Sequence, residues 1–315
     1  MNNPEYHVGK LTVTKVWELD LDDFAATQLL PDIQQETLAN DPAALDSRTY
    51  NPANRKVKLS VHSWLVRDGT RTILIDAGSG NDKDRPKLKA LDHLHTPYLT
   101  RLMATGVSPE EIDYVLLTHL HADHVGWNTQ FRDGRWVPTF PSATIVCSRL
   151  EWRYAEALSV GDKQMIQAVQ SEAGLGEPTR TPLKGVFEDS LAPIEAAGLL
   201  RQINVDGSEV LEGIRYVPTP GHSIDHAAIV ISSEGEEAIF GGDVVHHPLE
   251  MSHPELVSMF CEFPDAARTS RRALFDRASE SRIPFYSSHF PASSVGRVTR
   301  HATGYGWKFL EDETA

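Results

Sequence analysis

Four apolar segments of this chain each run out into a histidine or an aspartate, and that recurrence constrains the fold more than any other feature. IDYVLL (112–117) leads directly into THLHADH, so His119, His121, Asp123 and His124 crowd just past one apolar run. IRYVPTPGH delivers His222, EEAIFGGD delivers Asp243, and IPFYSSH delivers His289. Short apolar runs bounded by turn residues read as buried strands. Side chains just beyond the carboxyl ends of strands in an α/β sheet converge even when they are distant in sequence. The sum is five imidazoles and two carboxylates. One four-coordinate zinc ion takes three protein ligands and a water, so seven groups fit two metals that share a bridge.

The rest of the chain supplies a layered frame for these ends. KLTVTKVWEL alternates polar and apolar and reads as a strand. Residues 22–56 are irregular, interrupted by Pro31, Pro42 and Pro52, and read as an excursion from the core that forms a pocket wall or a dimer arm. LSVHSWLV and RTILIDAG are strands joined by RDGT, whose Asp-Gly pair signals a hairpin. RPKLKALDHLHTPYLTRLMATG (85–106) reads as helix ending at Gly106. SPEE then opens a short turn, with Ser108 as cap, Pro109 at the first helical position and Glu111 closing a capping box. In the second half, ATIVCS is a strand and 149–174 mostly helix. HAAIVIS and EEAIF form a hairpin, and PDAARTSRRALFDRASES is a helix. Strands with covering helices in both halves, and no obvious linker, predict one α/β sandwich domain over 1–315.

Composition removes several function classes. The chain has 315 residues, 40% hydrophobic and 23% charged, an ordinary globular balance with room for a sizeable core. Its net charge of -14 repels phosphate backbones and anionic membrane surfaces, so the expected partner is a small molecule, with no nucleic acid and no membrane. A small anionic substrate stays open, because bound cations reverse the local field. Cys147 and Cys261 are too few for a disulfide framework and read as packed thiols. No stretch approaches 18 apolar residues, and the N-terminus lacks a basic start and an apolar h-region, which makes the cytoplasm the expected compartment.

The ordered set of ligand-type residues resembles the metallo-β-lactamase superfamily, whose binuclear members carry HxHxDH, then a histidine, a bridging aspartate and a final histidine. The resemblance covers roughly residues 57–290 and implies an αββα sandwich holding two divalent metal ions, zinc first, with iron, manganese or cobalt as alternatives. It implies that His119, His121 and His222 hold one metal, that Asp123, His124 and His289 hold the other, and that Asp243 bridges them. Asp76, in ILIDAG, matches an aspartate that supports a ligand from behind. HLHADHVGW, TPGHS, GGDVVHHP and SSHFPASSVGRVTRHATGYGW are most similar to N-acyl-homoserine lactonases and the methyl parathion hydrolase-like group. A homodimer built through 22–56 is implied by the same resemblance.

The implied chemistry is hydrolysis of a small-molecule ester or lactone by a metal-bridging hydroxide, with Asp123 passing a proton to the leaving group. Alternatives are an organophosphate triesterase, a thioesterase, a mononuclear iron dioxygenase, and a non-catalytic metal-binding protein. Asp243 argues against lactam hydrolysis, because zinc β-lactamases lack an aspartate there, and His121 argues against flavodiiron proteins, which carry glutamate. Glyoxalase II-type thioesterases share all seven ligands, but their glutathione-binding region has no clear counterpart. Many lactonases place a tyrosine three residues after the bridging aspartate, where this chain has His246. His246 and His247 are therefore candidates for the pocket rim. Trp127 either packs beside the cluster or contacts substrate, and His226 is either a support for the site or helix-start packing. His7, His62, His93, His95, His253 and His301 lack such placement and read as surface or structural residues.

Overall fold

The structure, a computed structural model, describes residues 4–22 and 24–313. It divides into two compact units. The first is built from the chain up to Leu19, Val61–Gly176 and Thr181–Val205; the second from Asp20–Ser60, Glu177–Arg180 and Asp206 onward.

In the first unit a seven-stranded sheet runs in the order Glu5–Val8, Leu11–Leu21, Leu59–Arg67, Thr72–Ile75, Tyr114–Leu116, Thr144–Ser148, Leu200–Ile203. Leu59–Arg67 is buried at every position but the last, which explains its nearly continuous apolar run. It pairs antiparallel with Thr72–Ile75. The turn closes on Asp68, whose Oδ1 accepts from the N–H groups of Thr70 (2.8 Å) and Arg71 (2.6 Å). Thr72–Ile75, Tyr114–Leu116, Thr144–Ser148 and Leu200–Ile203 then run parallel. Ile75 is the register partner of Leu116, so Asp76 and the histidine-rich turn leave the sheet at the same edge.

The expected helix over 85–106 is a correction. Only a 3-10 turn, Lys89–Leu91, and a seven-residue helix, Tyr98–Ala104, form there. Side-chain bonds fold the stretch back on itself, and those to Thr96 take groups that a helix interior needs. Asp92 Oδ1 accepts from Arg85 N (2.7 Å), and Asn81 closes on both backbone groups of Thr96 (2.8 and 3.0 Å). Pro97 then starts the helix that does form. The capping box at Ser108 and Glu111 forms as its spacing predicts. Residues 149–174 form two helices, Arg149–Val160 and Lys163–Ala173, broken at Gly161 in the left-handed region.

The second unit holds a seven-stranded sheet in the order Glu209–Leu211, Ile214–Pro218, Ala227–Ser233, Glu236–Phe240, Phe285–Tyr286, Val295–Arg300, Tyr305–Phe309. Glu236–Phe240 and Phe285–Tyr286 are parallel, with Phe240 opposite Tyr286, so the chains that carry Asp243 and His289 leave at one edge. Helix Pro264–Ser281 buries Leu274, Phe275 and Ala278 in a cluster with Ala228, Ile239 and Phe285. The excursion contributes short helices and a two-stranded hairpin, Tyr50–Asn51 with Lys56–Val57. It is tied within this unit by Met259 N–H on Leu29 O (2.8 Å) and by Phe24 edge-on to Phe260. Residues of its 41–49 stretch line a cavity of about 540 Å³. Cys147 and Cys261 are buried free thiols. Among the described residues no helix is long and apolar enough to cross a membrane.

Candidate metal centre

In the first unit the ligand-type side chains come from a single turn. His121 caps the one-turn helix Ala122–Val125, which carries Asp123 and His124. The rings of His119 and His121 lie 4.5 Å apart by centroid, and those of His119 and His124 4.1 Å. Asp76 fixes this turn from behind. One of its oxygens meets His124 Nδ1 at 2.8 Å and the other accepts from Thr118 N (2.9 Å). Since a carboxylate only accepts, His124 Nδ1 carries the proton and Nε2 is the ring atom left to ligate. Thr118 Oγ1 also lies 3.0 Å from His119 Nδ1, so one threonine links Asp76 to a second imidazole. Gly126 allows the turn to close: a Cβ there would lie 1.8 Å from Ser79 O. His119, His124 and Asp76 are buried, while His121 and Asp123 are half-buried.

Trp127 takes the packing role. It is buried, stacks on Tyr98 at 5.2 Å, and donates its indole N–H to Glu18 Oε1 (2.6 Å), which leaves it no face for substrate. Glu18 was not legible as a site residue, because KVWEL reads only as strand. It accepts from Ser79 N (2.6 Å), Gly80 N (3.1 Å) and Trp127, pinning the loop beside the histidine-rich turn. Burial raises its carboxyl to about 7 against these donors, which pull the other way.

In the second unit the same residue types arrive from three separate segments. Gly221, at φ +129, brings the TPGHS loop against helix Pro264–Ser281, where a Cβ would lie 2.0 Å from Ala267 N. Backbone bonds from Glu262 N to His222 O (3.0 Å) and Phe263 N to Gly221 O (2.8 Å) then hold His222 in place. Asp243 sits in the 3-10 turn Gly242–Val244, and its own N–H donates to His226 Nε2 (2.9 Å). That bond makes Nε2 an acceptor, so Nδ1 carries the proton, with Thr219 Oγ1 at 2.8 Å and Thr219 O at 3.2 Å. His226 is therefore a positioning residue for Asp243 rather than helix-start packing. His289 is oriented by Ser60 O, 2.9 Å from Nδ1.

The donor chemistry of this cluster fits a cation. Asp243 faces three imidazole nitrogens: His289 Nε2 at 3.0 Å, His222 Nε2 at 3.3 Å and His246 Nε2 at 3.4 Å. His289 donates from Nδ1 to a carbonyl, so its Nε2 can face a carboxylate only across a proton or a metal ion. His222, Asp243 and His246 each offer one ligand atom, all within 4.8 Å of one another. All of these side chains are buried.

His246 and His247 are both buried, as are His222, Asp243 and His289 beside them. His247 has both ring nitrogens engaged, Nε2 with Thr49 O (2.8 Å) and Nδ1 with Leu249 N–H (3.2 Å), and burial lowers it to about 4. His246 is backed by Glu250, whose Oε2 accepts from His246 N (2.7 Å) and His247 N (3.1 Å). Glu250 Oε1 takes the guanidinium of Arg271 at 2.6 Å, and both residues are fully buried. Burial pushes the Glu250 carboxyl up, but the charges of Arg271 and then His246 outweigh it and hold it at about 2.

The comparisons with known proteins agree with this architecture. The family model of the metallo-beta-lactamase superfamily matches residues 57–280. A ribonuclease of Thermus thermophilus is 28% identical over 193 residues, 61% of this chain and 36% of that protein. An N-acyl homoserine lactonase of Bacillus cereus is 23% identical over 201 residues, 59% of this chain and 63% of the lactonase. The chain thus spans about a third of the ribonuclease and under two-thirds of the lactonase. Among solved structures, a hydrolase of the beta-lactamase superfamily, AbOPH, aligns with a TM-score of 0.75 at 24% identity, covering 98% of this chain and 97% of its own. AidC, described as a dizinc quorum-quenching lactonase, aligns with a TM-score of 0.71 at 18% identity over 98% and 97%. At such identities the structural likeness speaks for the fold, which is the αββα sandwich that the strand-end pattern implied. With the family model matched across most of its length, the chain belongs to the metallo-beta-lactamase superfamily.

Proposed function

We propose that this protein is a metal-dependent hydrolase of small esters or lactones, in which the two clusters jointly hold two divalent cations, zinc first. His119, His121 and His222 would hold one, Asp123, His124 and His289 the other, with Asp243 shared. Bound there, the cations would lower the pKa of a water toward neutrality and polarise the acyl oxygen of the substrate. The observation that carries the reading is the Asp243 carboxylate with three imidazole nitrogens within 3.4 Å, a donor set that fits a divalent cation.

The chain's own residues do the rest. Asp76 and Ser60 O each take the Nδ1 proton of His124 and His289, so that the ring lone pair of each lies on Nε2. His226 holds the backbone of Asp243, which fixes the carboxylate that the two ions would share. Asp123 is half-buried, so it can exchange a proton with the leaving group as well as ligate. A net charge of -14 favours a small substrate over RNA, although ribonucleases are among the relatives.

The test is proton release by zinc-loaded protein on an acyl-homoserine lactone, a simple γ-lactone, an aryl ester, a thioester and an aryl phosphotriester. Turnover of lactone or aryl ester is expected. Turnover of the phosphotriester alone would move the reading to the parathion-hydrolase-like branch, and silence of the fully metallated protein across the panel would overturn it.

A further inference from the structure

The buried Glu18 carboxylate joins two pieces of chain that support the first cluster. After Asp76 the chain runs along the histidine-rich turn, held by three backbone bonds: Ala77 N to His124 O (2.6 Å), Gly126 N to Gly78 O (2.7 Å) and Trp127 N to Ala77 O (2.7 Å). Glu18 clamps both pieces. Its Oε2 accepts from Ser79 N, and its Oε1 from Gly80 N, from the Trp127 indole and from Thr96 Oγ1 at 3.3 Å. Gly78 makes room for the carboxylate, because a Cβ there would lie 2.3 Å from Oε2.

Two effects oppose each other at this carboxyl. Three of its four partners are N–H groups, which only donate, so the geometry fits an ionised carboxylate, which only accepts. A proton on Glu18 either displaces one of these N–H groups or reaches for the Thr96 hydroxyl, the longest of the four contacts. Burial acts the other way and favours the neutral acid, which brings the carboxyl to about 7. The charged and titratable neighbours have partners of their own. Arg101, from helix Tyr98–Ala104, donates to the backbone carbonyl of Glu18 (2.6 Å), and Tyr98 donates to Ser63 Oγ (2.7 Å). Asp76 is held by Thr118 and His124, and His62 of the adjoining strand stands edge-on to Trp64.

We infer that Glu18 is a positioning residue whose ionised form holds the histidine-rich turn ready for a cation, so that a proton on Glu18 and a cation on the turn compete. The inference rests on the reading of His119, His121, Asp123 and His124 as cation ligands, and it adds a proton that cation binding releases. It also gives a use to an arrangement that stability alone disfavours. A carboxyl raised from 4.5 to about 7 in the fold stabilises the protein below pH 4.5, and that contribution is lost as the pH rises through about 7.

The experiment follows the Trp127 indole N–H resonance against pH in metal-free and zinc-loaded protein, because its nitrogen lies 2.6 Å from the Glu18 carboxylate. In the metal-free wild type the resonance should titrate near pH 7, and in Glu18→Gln it should not titrate. A supporting partner of this kind is worth about 10–100-fold in metal affinity, so zinc should lower the midpoint by about one to two pH units. Amide exchange at Gly126 and Trp127, corrected for its intrinsic pH dependence, should quicken as Glu18 takes up its proton. Trp127→Phe removes one donor to the ionised form and should move the acid limb of zinc affinity, read by chelator competition, to higher pH. Misfolding does not produce that shift, and the wild-type titration decides the matter even if Glu18→Gln does not fold. A midpoint that zinc leaves unmoved would overturn the inference and leave the hydrolase reading intact. Exchange that keeps its rate across the titration would reduce the coupling to through-space attraction and overturn the positioning role. A midpoint lowered by zinc in a protein that hydrolyses nothing on the panel would uphold the inference and sink the hydrolase reading.

Discussion

The histidine-rich turn of the first unit and the Asp243 cluster of the second present the same kinds of donor by opposite routes. In the first, four ligand-type residues lie within six positions, and one strand, one capped turn and one aspartate behind them suffice to orient them. In the second, His222, Asp243 and His289 come from three segments, and each is fixed by a different partner: backbone bonds from 262–263, the His226 ring and the Ser60 carbonyl. A local motif is robust because its geometry is mostly covalent. An assembled cluster is only as good as the packing of its loops, and Gly221, Glu250 and Arg271 are the price of that assembly.

This contrast can be broken most severely at Asp243. Asp243→Ala should cut turnover on the order of a thousand-fold or more and lower bound metal, because it removes the acceptor that three imidazoles share. Metal analysis of the purified variant beside a rate assay checks it, and wild-type rates in a metal-depleted variant would sink the two-ion mechanism. Next comes Arg271→Met, which takes from the buried Glu250 its principal countercharge and should cost about 3–5 kcal/mol in denaturant unfolding.

The same pair gives the second unit an acid limb. The folded state holds the Glu250 carboxyl at about 2, against an ordinary value of 4.5. Its stabilisation is therefore complete above about pH 4.5 and is lost as the pH falls toward 2. Glu250→Gln should flatten the fall in stability across that interval, which melting curves from pH 2 to 6 would reveal.

The positioning residues sharpen the comparison further. Asp76→Ala and His226→Ala should each weaken metal binding by about 10–100-fold. His226→Ala should also disturb the Asp243 loop, seen as faster amide exchange at Asp243, whereas Asp76→Ala acts on the ring of His124. Equal exchange in both variants would remove the distinction between the local and the assembled cluster. Smallest is Ser148→Ala, which removes the cap of helix Arg149–Val160 and should lower stability by about 1 kcal/mol.

Sequence reading reached the first cluster more completely than the second for the same reason. HLHADH, the strand before it and Asp76 at the end of a neighbouring strand are patterns of apolar alternation and spacing, and so are the hairpin at Asp68 and the helix 264–281. What it missed depends on partners far away in the chain. Glu18 read only as strand, yet it holds the Trp127 indole 109 residues away, and His247 turns its ring to Thr49, 198 residues away. Likewise the helix over 85–106 fails because Asn81 takes both backbone groups of Thr96 just ahead of Pro97, a competition that helical periodicity does not register.

The proposed function requires two ions held as one pair. Paramagnetic resonance of the manganese-loaded protein tests it most directly, because two ions sharing the Asp243 carboxylate exchange-couple and two isolated ions do not. A coupled-pair spectrum is expected in the wild type and should collapse to a single-ion signal in Asp243→Ala. Two independent single-ion signals in the wild type, or a coupled spectrum that survives Asp243→Ala, would contradict it.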